Sequence, residues 1–249
     1  MTKISIIIPT LNSSKTIKKT ITSVINQSFK DYEIIIIDSY SMDNTIKIIK
    51  KFNSKIIRVF YLPKSKNLSY ARYFGILKSK GNYISFLDSD DYWHRDKLKL
   101  QYSFMKKKNI SFTSTNFFLF KNLKKKKFNY KKNIFFNDLL FTRPIANSSV
   151  MVKKRIILNI AKRYQNISYA EDYLWWLKAS EKTKILNMQK NLTYIRVSDN
   201  SRTSIGIVKN LKSLIYIYTK IYKFSFIKIA LIFLRLFFNN FEKKFFYYS

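Results

Sequence analysis

Tyr83-Ile84-Ser85-Phe86-Leu87-Asp88-Ser89-Asp90-Asp91 is a short apolar run that ends in a cluster of carboxylates. The run from Tyr83 to Leu87 reads as a buried strand. Ser69 to Lys80 reads as a helix before it, ended by Gly81. Carboxylates gathered where a buried strand ends repel one another, and a positive partner offsets the repulsion. That end of an open α/β sheet is also where its binding crevice opens. A hard divalent cation, Mn2+ or Mg2+, suits such acids and keeps positions for water and substrate phosphates. It also stabilises a diphosphate as a leaving group. The alternative is a plain helix cap, with Asp90 or Asp91 opening a helix from Arg95.

Upstream, strands and helices alternate. Ile4 to Ile8, ended by Pro9, reads as a buried strand. Asn12 and Ser13 are placed to cap a helix with Ile17, Ile21, Val24 and Ile25 on one face. A second strand, Ile34 to Ile37, closes at Asp38. Asp43 and Asn44 can cap the next helix, with Ile46, Ile49 and Phe52 inward, and Ile56 to Tyr61 is a third strand. Strands alternating with helices predict an α/β fold: a mostly parallel, Rossmann-like sheet with helices on both faces.

Composition narrows the chemistry. The chain has 249 residues and no cysteine, which excludes disulfides, zinc ribbons and thiol catalysis. One histidine, His94, makes a Ser-His-Asp triad improbable and reads as an exposed bystander. Three glycines are too few for a glycine-rich phosphate loop. Lys and Arg number 48 against 14 Asp and Glu, a formal charge of +34 that favours an anionic partner. Hydrophobic residues at 47% set the chain apart from disordered polycations.

The motifs Ile6-Ile7-Ile8-Pro9-Thr10-Leu11-Asn12, Ile36-Ile37-Asp38-Ser39-Tyr40-Ser41-Met42-Asp43-Asn44-Thr45, Ala71-Arg72-Tyr73-Phe74-Gly75 and Gly81 to Asp91 stand in series. Weaker matches follow at Ala146 to Val152, at Glu171-Asp172 and at Tyr194-Ile195-Arg196. Taken together, the chain resembles the family 2 inverting glycosyltransferases with the GT-A fold. The resemblance implies that Pro9 and Thr10 line a nucleotide pocket and that Asp38 begins the family's acidic turn. It implies that Arg72 lies near the donor's base and diphosphate, and that Arg196 belongs to a flap over the donor phosphates. Asp88 and Asp90 match the acids of the metal motif, Asp90 on the ion and Asp88 on the ribose or a metal-bound water. Asp172 matches the general base. Inverting displacement needs such a base and no covalent nucleophile. Read locally, Asp172 is equally a first-turn carboxylate favoured by the helix dipole. The chain departs from the usual pattern at Leu11, Ser39, Tyr40 and Ser198.

The implied activity is metal-dependent transfer of a sugar from a nucleoside-diphosphate sugar to a glycan or lipid-linked acceptor, in surface polysaccharide or lipopolysaccharide synthesis. Two other classes compete. A nucleotidyltransferase needs a glycine-rich loop early in the chain, and Leu11 to Thr16 has no glycine. A nucleic-acid binder needs basic and aromatic residues interleaved on an exposed sheet, whereas the strands here read as buried, so no nucleic-acid partner is expected.

The expected division is a glycosyltransferase domain over 1–204, with a nucleotide-sugar half (1–96) and an acceptor half (97–204), and a basic amphipathic tail over 205–249. From Lys97 to Asn137 there is no acidic residue; Phe117 to Phe120 reads as a strand and Lys121 to Lys132 as a solvated loop. That loop is either a hairpin tip or a contact for anionic lipid headgroups. Lys209, Lys212, Lys220, Lys223, Lys228 and Arg235 fall within roughly 160° at about 100° per residue. The tail therefore either lies in a membrane interface or packs on the domain. No signal segment or membrane-spanning run is read, so the expected place is cytoplasmic, peripheral on the inner membrane face.

Overall fold

The computed structural model describes residues 2–198 and 207–239. Its sheet begins with β1 (Ile4–Thr10), β2 (Tyr32–Asp38), β3 (Ile57–Tyr61) and β4 (Tyr83–Phe86), which run parallel in the order β3-β2-β1-β4. β1 and β2 are buried along their whole length. Their side chains alternate between the two faces of the sheet. Ile6, Ile8, Ile34 and Ile36 meet Ile17, Ile21 and Val24 of α1 (Ile17–Ile25). Ile35 and Ile37 meet Ala71 of α3 (Leu68–Lys78), and Ile7 belongs to a third cluster with Ile76 of that helix. Each such side chain contributes about 1.5–3 kcal/mol on full burial. A strand apolar on both faces is stable only with a helical layer on each side.

The sheet continues through β9 (Met151–Lys153), antiparallel to β4 and to β6 (Phe112–Lys121). β10 (Ile185–Arg196) runs parallel to β6, and β5 (Tyr92–Trp93) closes the edge antiparallel to β10. α2 (Thr45–Lys50) follows β2, and α4 (Lys97–Lys108), α5 (Phe136–Thr142) and α6 (Lys154–Tyr164) lie in the second half. α7 (Glu171–Ser180) is buried along most of its length. Its Trp176 ring lies 5.9 Å from Phe86 and 5.2 Å from Phe112, which locks the helix against the end of β4.

Several local expectations change. Neither Asn12 nor Ser13 caps α1 through its side chain. Asn12 is left-handed at φ 47° and its Oδ1 accepts from Met42 N, while Ser13 Oγ pairs with Ser89 Oγ. Neither Asp90 nor Asp91 caps a helix, because α4 begins after Asp96. α3 ends at an extended Ser79, and Gly81 has no left-handed φ. Gly81 serves close packing instead: a Cβ there would lie 2.7 Å from Ser5 N. The lysine run is not a loop. Lys124–Phe128 forms β7, an edge strand antiparallel to β6, and a two-residue β8 (Asn133–Ile134) pairs with β10. Lysines on an edge strand discourage pairing with other chains.

The tail is two helices, Ile207–Tyr216 and Phe226–Asn239, joined through a π-turn at Ile217–Ile221. Leu214, Ile217, Tyr218, Ile232 and Leu236 are buried in the main core, and Tyr218 hydroxyl bonds Tyr173 hydroxyl at 2.9 Å. The tail therefore does pack on the domain. Phe224 and Phe233 pack against that core. Phe226, Ile227, Leu231, Leu234, Phe237 and Phe238 remain exposed on the second helix. At about 100° per residue they fill an arc of about 140°, and the cations Lys228 and Arg235 border it rather than face it. Among the described residues no helix is long and apolar enough to cross a membrane. The tail residues beyond 239, and residues 199–206, lie outside the described part.

Candidate functional site

The register of the parallel strands delivers Thr10, Asp38 and the acids after β4 to one end of the sheet. Thr10 pairs with Asp38, and Leu87 N donates to Ile7 O at 3.0 Å. The loops after β1 and β2 are laced together. Ser39 N donates to Thr10 O at 2.9 Å, Asn12 N to Ser41 Oγ at 2.9 Å, Met42 N to Asn12 Oδ1 at 2.8 Å and Ser13 N to Thr45 Oγ1 at 2.7 Å. Asp38 is buried, and its carboxylate accepts from Ser41 N at 2.9 Å and from Ser41 Oγ. Asp43 accepts from Ser14 N and from Thr45 N and Oγ1. Burial works against its charge, but the Thr45 and Ser14 bonds prevail and hold the carboxyl down at about 2. Pro9 and Thr10 are buried in β1, and Leu11, Tyr40 and Met42 form an exposed apolar rim above them.

Beside this rim stand the acids of β4. Asp88 Oδ1 accepts from Arg72 Nη2 at 2.7 Å and from Asn147 Nδ2 at 2.9 Å. The other end of the Arg72 guanidinium donates through Nη1 to Glu171 Oε1. Arg72 is buried, so it is not a free cation at the mouth of the site but the tie between β4 and α7. Burial disfavours its charge, yet Asp88, Glu171 and Asp172 together raise its pKa further. Asp172, next to Glu171 in the chain, adds to the negative charge felt by that guanidinium. It is half-buried in the first turn of α7, where its Oδ1 accepts from Tyr173 N at 2.8 Å.

Asp91 anchors the floor. It is buried, accepts from Ser148 Oγ at 2.6 Å and takes Arg196 N at 2.9 Å. Ser148 Oγ in turn accepts from Asp88 N at 3.0 Å. Burial, then the neighbouring Asp90 and Asp88, push the Asp91 carboxyl well up. Burial and the Asp88 charge raise Asp90 to about 6. The Arg196 side chain is exposed, 5.5 Å from the Phe120 ring.

Sequence reasoning left Asn147 and Ser148 without roles, read Asp91 only as a possible helix cap and took Glu171 only as the neighbour of Asp172 in a Glu-Asp pair. The one available signal was the run of small polar residues Asn147-Ser148-Ser149 between apolar neighbours. Among the described residues no group of three or more His, Cys, Asp or Glu side chains converges to hold a metal ion. Two carboxylates nevertheless fit a divalent ion completed by water and substrate phosphates. Asp90, raised to about 6 beside Asp88, is a group that a cation would return to its charged form. His94 is exposed and its Nδ1 accepts from Asp96 N, as a bystander would.

The model of glycosyl transferase family 2 matches residues 5–177. An uncharacterized glycosyltransferase of Rickettsia felis is 34% identical over 223 residues, 83% of this chain and 36% of its own length. The chain thus spans little more than a third of that relative. WfaP of Escherichia coli, a UDP-Glc:alpha-D-GlcNAc-diphosphoundecaprenol beta-1,3-glucosyltransferase, is 34% identical over 81% of this chain and 80% of its own. Among solved structures, Staphylococcus aureus TarS 1–349 in complex with UDP-GlcNAc superposes with a TM-score of 0.68. It shares 21% identity over 81% of this chain and 60% of its own, which shows a common GT-A fold.

Proposed function

Since the chain belongs to glycosyl transferase family 2, we propose that it transfers a sugar, with inversion, from a nucleoside-diphosphate sugar to a hydroxyl of a glycan or lipid-linked acceptor in surface polysaccharide or lipopolysaccharide synthesis. The observation that supports the reading is the Arg72 tie, which joins Asp88 after β4 to Glu171, the residue that precedes Asp172 in α7.

Asp172 takes the acceptor proton as the new bond forms to the anomeric carbon. The bond from that carbon to the diphosphate breaks, and its electron pair leaves on the phosphate oxygen. Asp88 and Asp90 would hold a divalent ion, Mn2+ or Mg2+, which would supply positive charge to the departing diphosphate. Pro9, Thr10 and Asp38 shape the nucleotide pocket, and the exposed rim of Leu11 and Tyr40 offers the base an apolar cover. Arg196 faces the donor phosphates; Arg72 orients the acids from behind.

The outward apolar stripe of Phe226–Asn239, bordered by Lys228 and Arg235, supports peripheral attachment to an anionic membrane surface, where a lipid-linked acceptor is reached. Product analysis by proton NMR tests the reaction: an α-linked donor gives a β-linked product. An α-linked product would contradict the single displacement.

A further inference from the structure

The outer sheet carries a row of rings in register. Tyr92 of β5 pairs with Tyr194 of β10, and Tyr194 with Phe118 of β6. Their rings are stacked at 4.5 Å and 5° for Tyr92–Tyr194, and at 4.9 Å and 10° for Phe118–Tyr194. Cations close both ends. Lys19 of α1 lies 3.7 Å from the Tyr92 ring, and Lys127, opposite Phe118 on β7, lies 6.0 Å from that ring. Lys125 lies 5.5 Å from the Tyr194 ring. In the next row Phe120 stands opposite both Arg196 and Lys125, with Lys19 5.2 Å from its ring.

Lys19, Lys125 and Lys127 are exposed, and among the described residues none of them has a carboxylate partner. Burial and then Arg196 and Lys125, both cations, lower the pKa of Lys19. Gathering like charges costs energy unless an anion joins them. Lys19 also borders a cleft of about 500 Å³ with Lys15, Lys18 and Tyr92. The patch abuts the acid cluster directly, because Tyr92 follows Asp91 and Arg196 N donates to Asp91 Oδ1 at 2.9 Å.

The occupant's chemistry follows from the ring faces. Both faces of Tyr194 are covered by rings, and the open face of Tyr92 is covered by Lys19. A nucleobase or sugar ring therefore finds no free π-face to stack on, which single-strand binding requires. What the stack does is hold Lys19 over its outer face through a close cation–π contact, while the β6–β7 register sets Lys125 opposite Phe120 and Lys127 opposite Phe118. We propose that Lys19, Lys125 and Lys127, set around the Tyr92–Tyr194–Phe118 stack, form a site for the phosphate groups of a phosphate-bearing acceptor. This rests on the glycosyltransferase reading and assigns its acceptor class. A prenyl diphosphate and a phosphodiester-linked polyol present the same chemistry.

The test compares the full chain with its Lys19→Gln/Lys125→Gln/Lys127→Gln variant. Arg196 is left intact, and thermal melting checks that the variant folds. Probes are farnesyl diphosphate, a glycerol phosphate oligomer and a dT oligonucleotide of equal charge, each titrated from 50 to 200 mM salt. The expected result is that one phosphate probe binds the wild type more tightly than dT, and at least tenfold more weakly to the variant. Farnesyl diphosphate as the tighter probe identifies a lipid-linked source; the oligomer identifies a polymer. Unchanged binding in the folded variant overturns the site, and tightest binding of dT replaces it with a nucleic-acid surface. Nucleotide-sugar affinity is measured in parallel and should stay the same in the variant; an equal loss there would assign the cations to the donor instead. A wild type that binds a phosphate probe but no nucleotide sugar would overturn the transferase reading while leaving the anion site standing.

Discussion

The guanidinium of Arg72 joins Asp88 and Glu171, carboxylates on elements far apart in the chain, through its two terminal nitrogens. All of Glu171 and Arg72 is inside, so this ion pair is paid for in desolvation and depends on staying intact. Arg72→Met removes the ion pair of the buried Glu171. Urea unfolding should show a loss of about 3–5 kcal/mol, and adding Glu171→Gln should recover part of it. An Arg72→Met chain as stable as wild type would contradict the structural role of the Arg72–Glu171 pair.

Asp172 is the half-buried acid at the mouth of that tie. Asp172→Asn keeps the shape and removes the basicity, so turnover should fall by roughly 10²–10⁴ while donor affinity, read by titration, changes little. Unchanged turnover moves the base to another residue.

The Asp90 carboxyl sits at about 6 in the folded chain against an ordinary 3.8. Between those values the folded chain keeps a proton that the unfolded chain has released. Without metal, the contribution of Asp90 to stability is therefore fully present below about 4 and is lost as pH rises through about 6. Melting curves from pH 4 to 7 should show the decline, Asp90→Asn should flatten it, and Mn2+ should reverse it most strongly above pH 6. A flat wild-type profile over that range would show that Asp90 ionises freely.

Much of this site could be read from the chain because β1, β2 and β4 are apolar on both faces, so the acids that end them stand out. Glu171 could not be read: a buried glutamate looks like an exposed one until its partner is known, and Arg72 is far away in sequence. The lysine strand β7 was hidden for another reason. Its own residues have little strand preference, and pairing with the aromatic β6 decides its structure. The apolar side of the last helix was legible from its spacing, but the place of its cations was not: Lys228 and Arg235 lie along the border of the outward stripe, against Phe224 and Phe141.

Gly75 and Gly81 differ in what a methyl group would meet. At Gly75 the contact is the Ile7 side chain at 2.6 Å, and at Gly81 it is the Ser5 backbone nitrogen at 2.7 Å. A side chain can turn and a strand backbone cannot. Gly81→Ala should cost more than Gly75→Ala, with both in the range of about 1–3 kcal/mol. Denaturant midpoints in the reverse order would contradict the close-packing role of Gly81.

Attachment through the tail has two separable parts. Sedimentation with anionic vesicles should weaken but persist as salt rises, because the apolar stripe is insensitive to screening. Leu231→Asp with Leu234→Asp, both exposed, should abolish the salt-resistant part and leave the fold intact. Persistent salt-resistant binding would place the attachment elsewhere.

The central claim, transfer from a nucleoside-diphosphate sugar at Asp88 and Asp90, is tested most directly by titrating a panel of such sugars into the full chain with Mn2+ and with excess chelator. The account predicts that at least one donor binds with Mn2+, loses that affinity in chelator, and fails to bind Asp90→Ala in either condition. Donor binding that is equal in Mn2+, in chelator and in Asp90→Ala would contradict it.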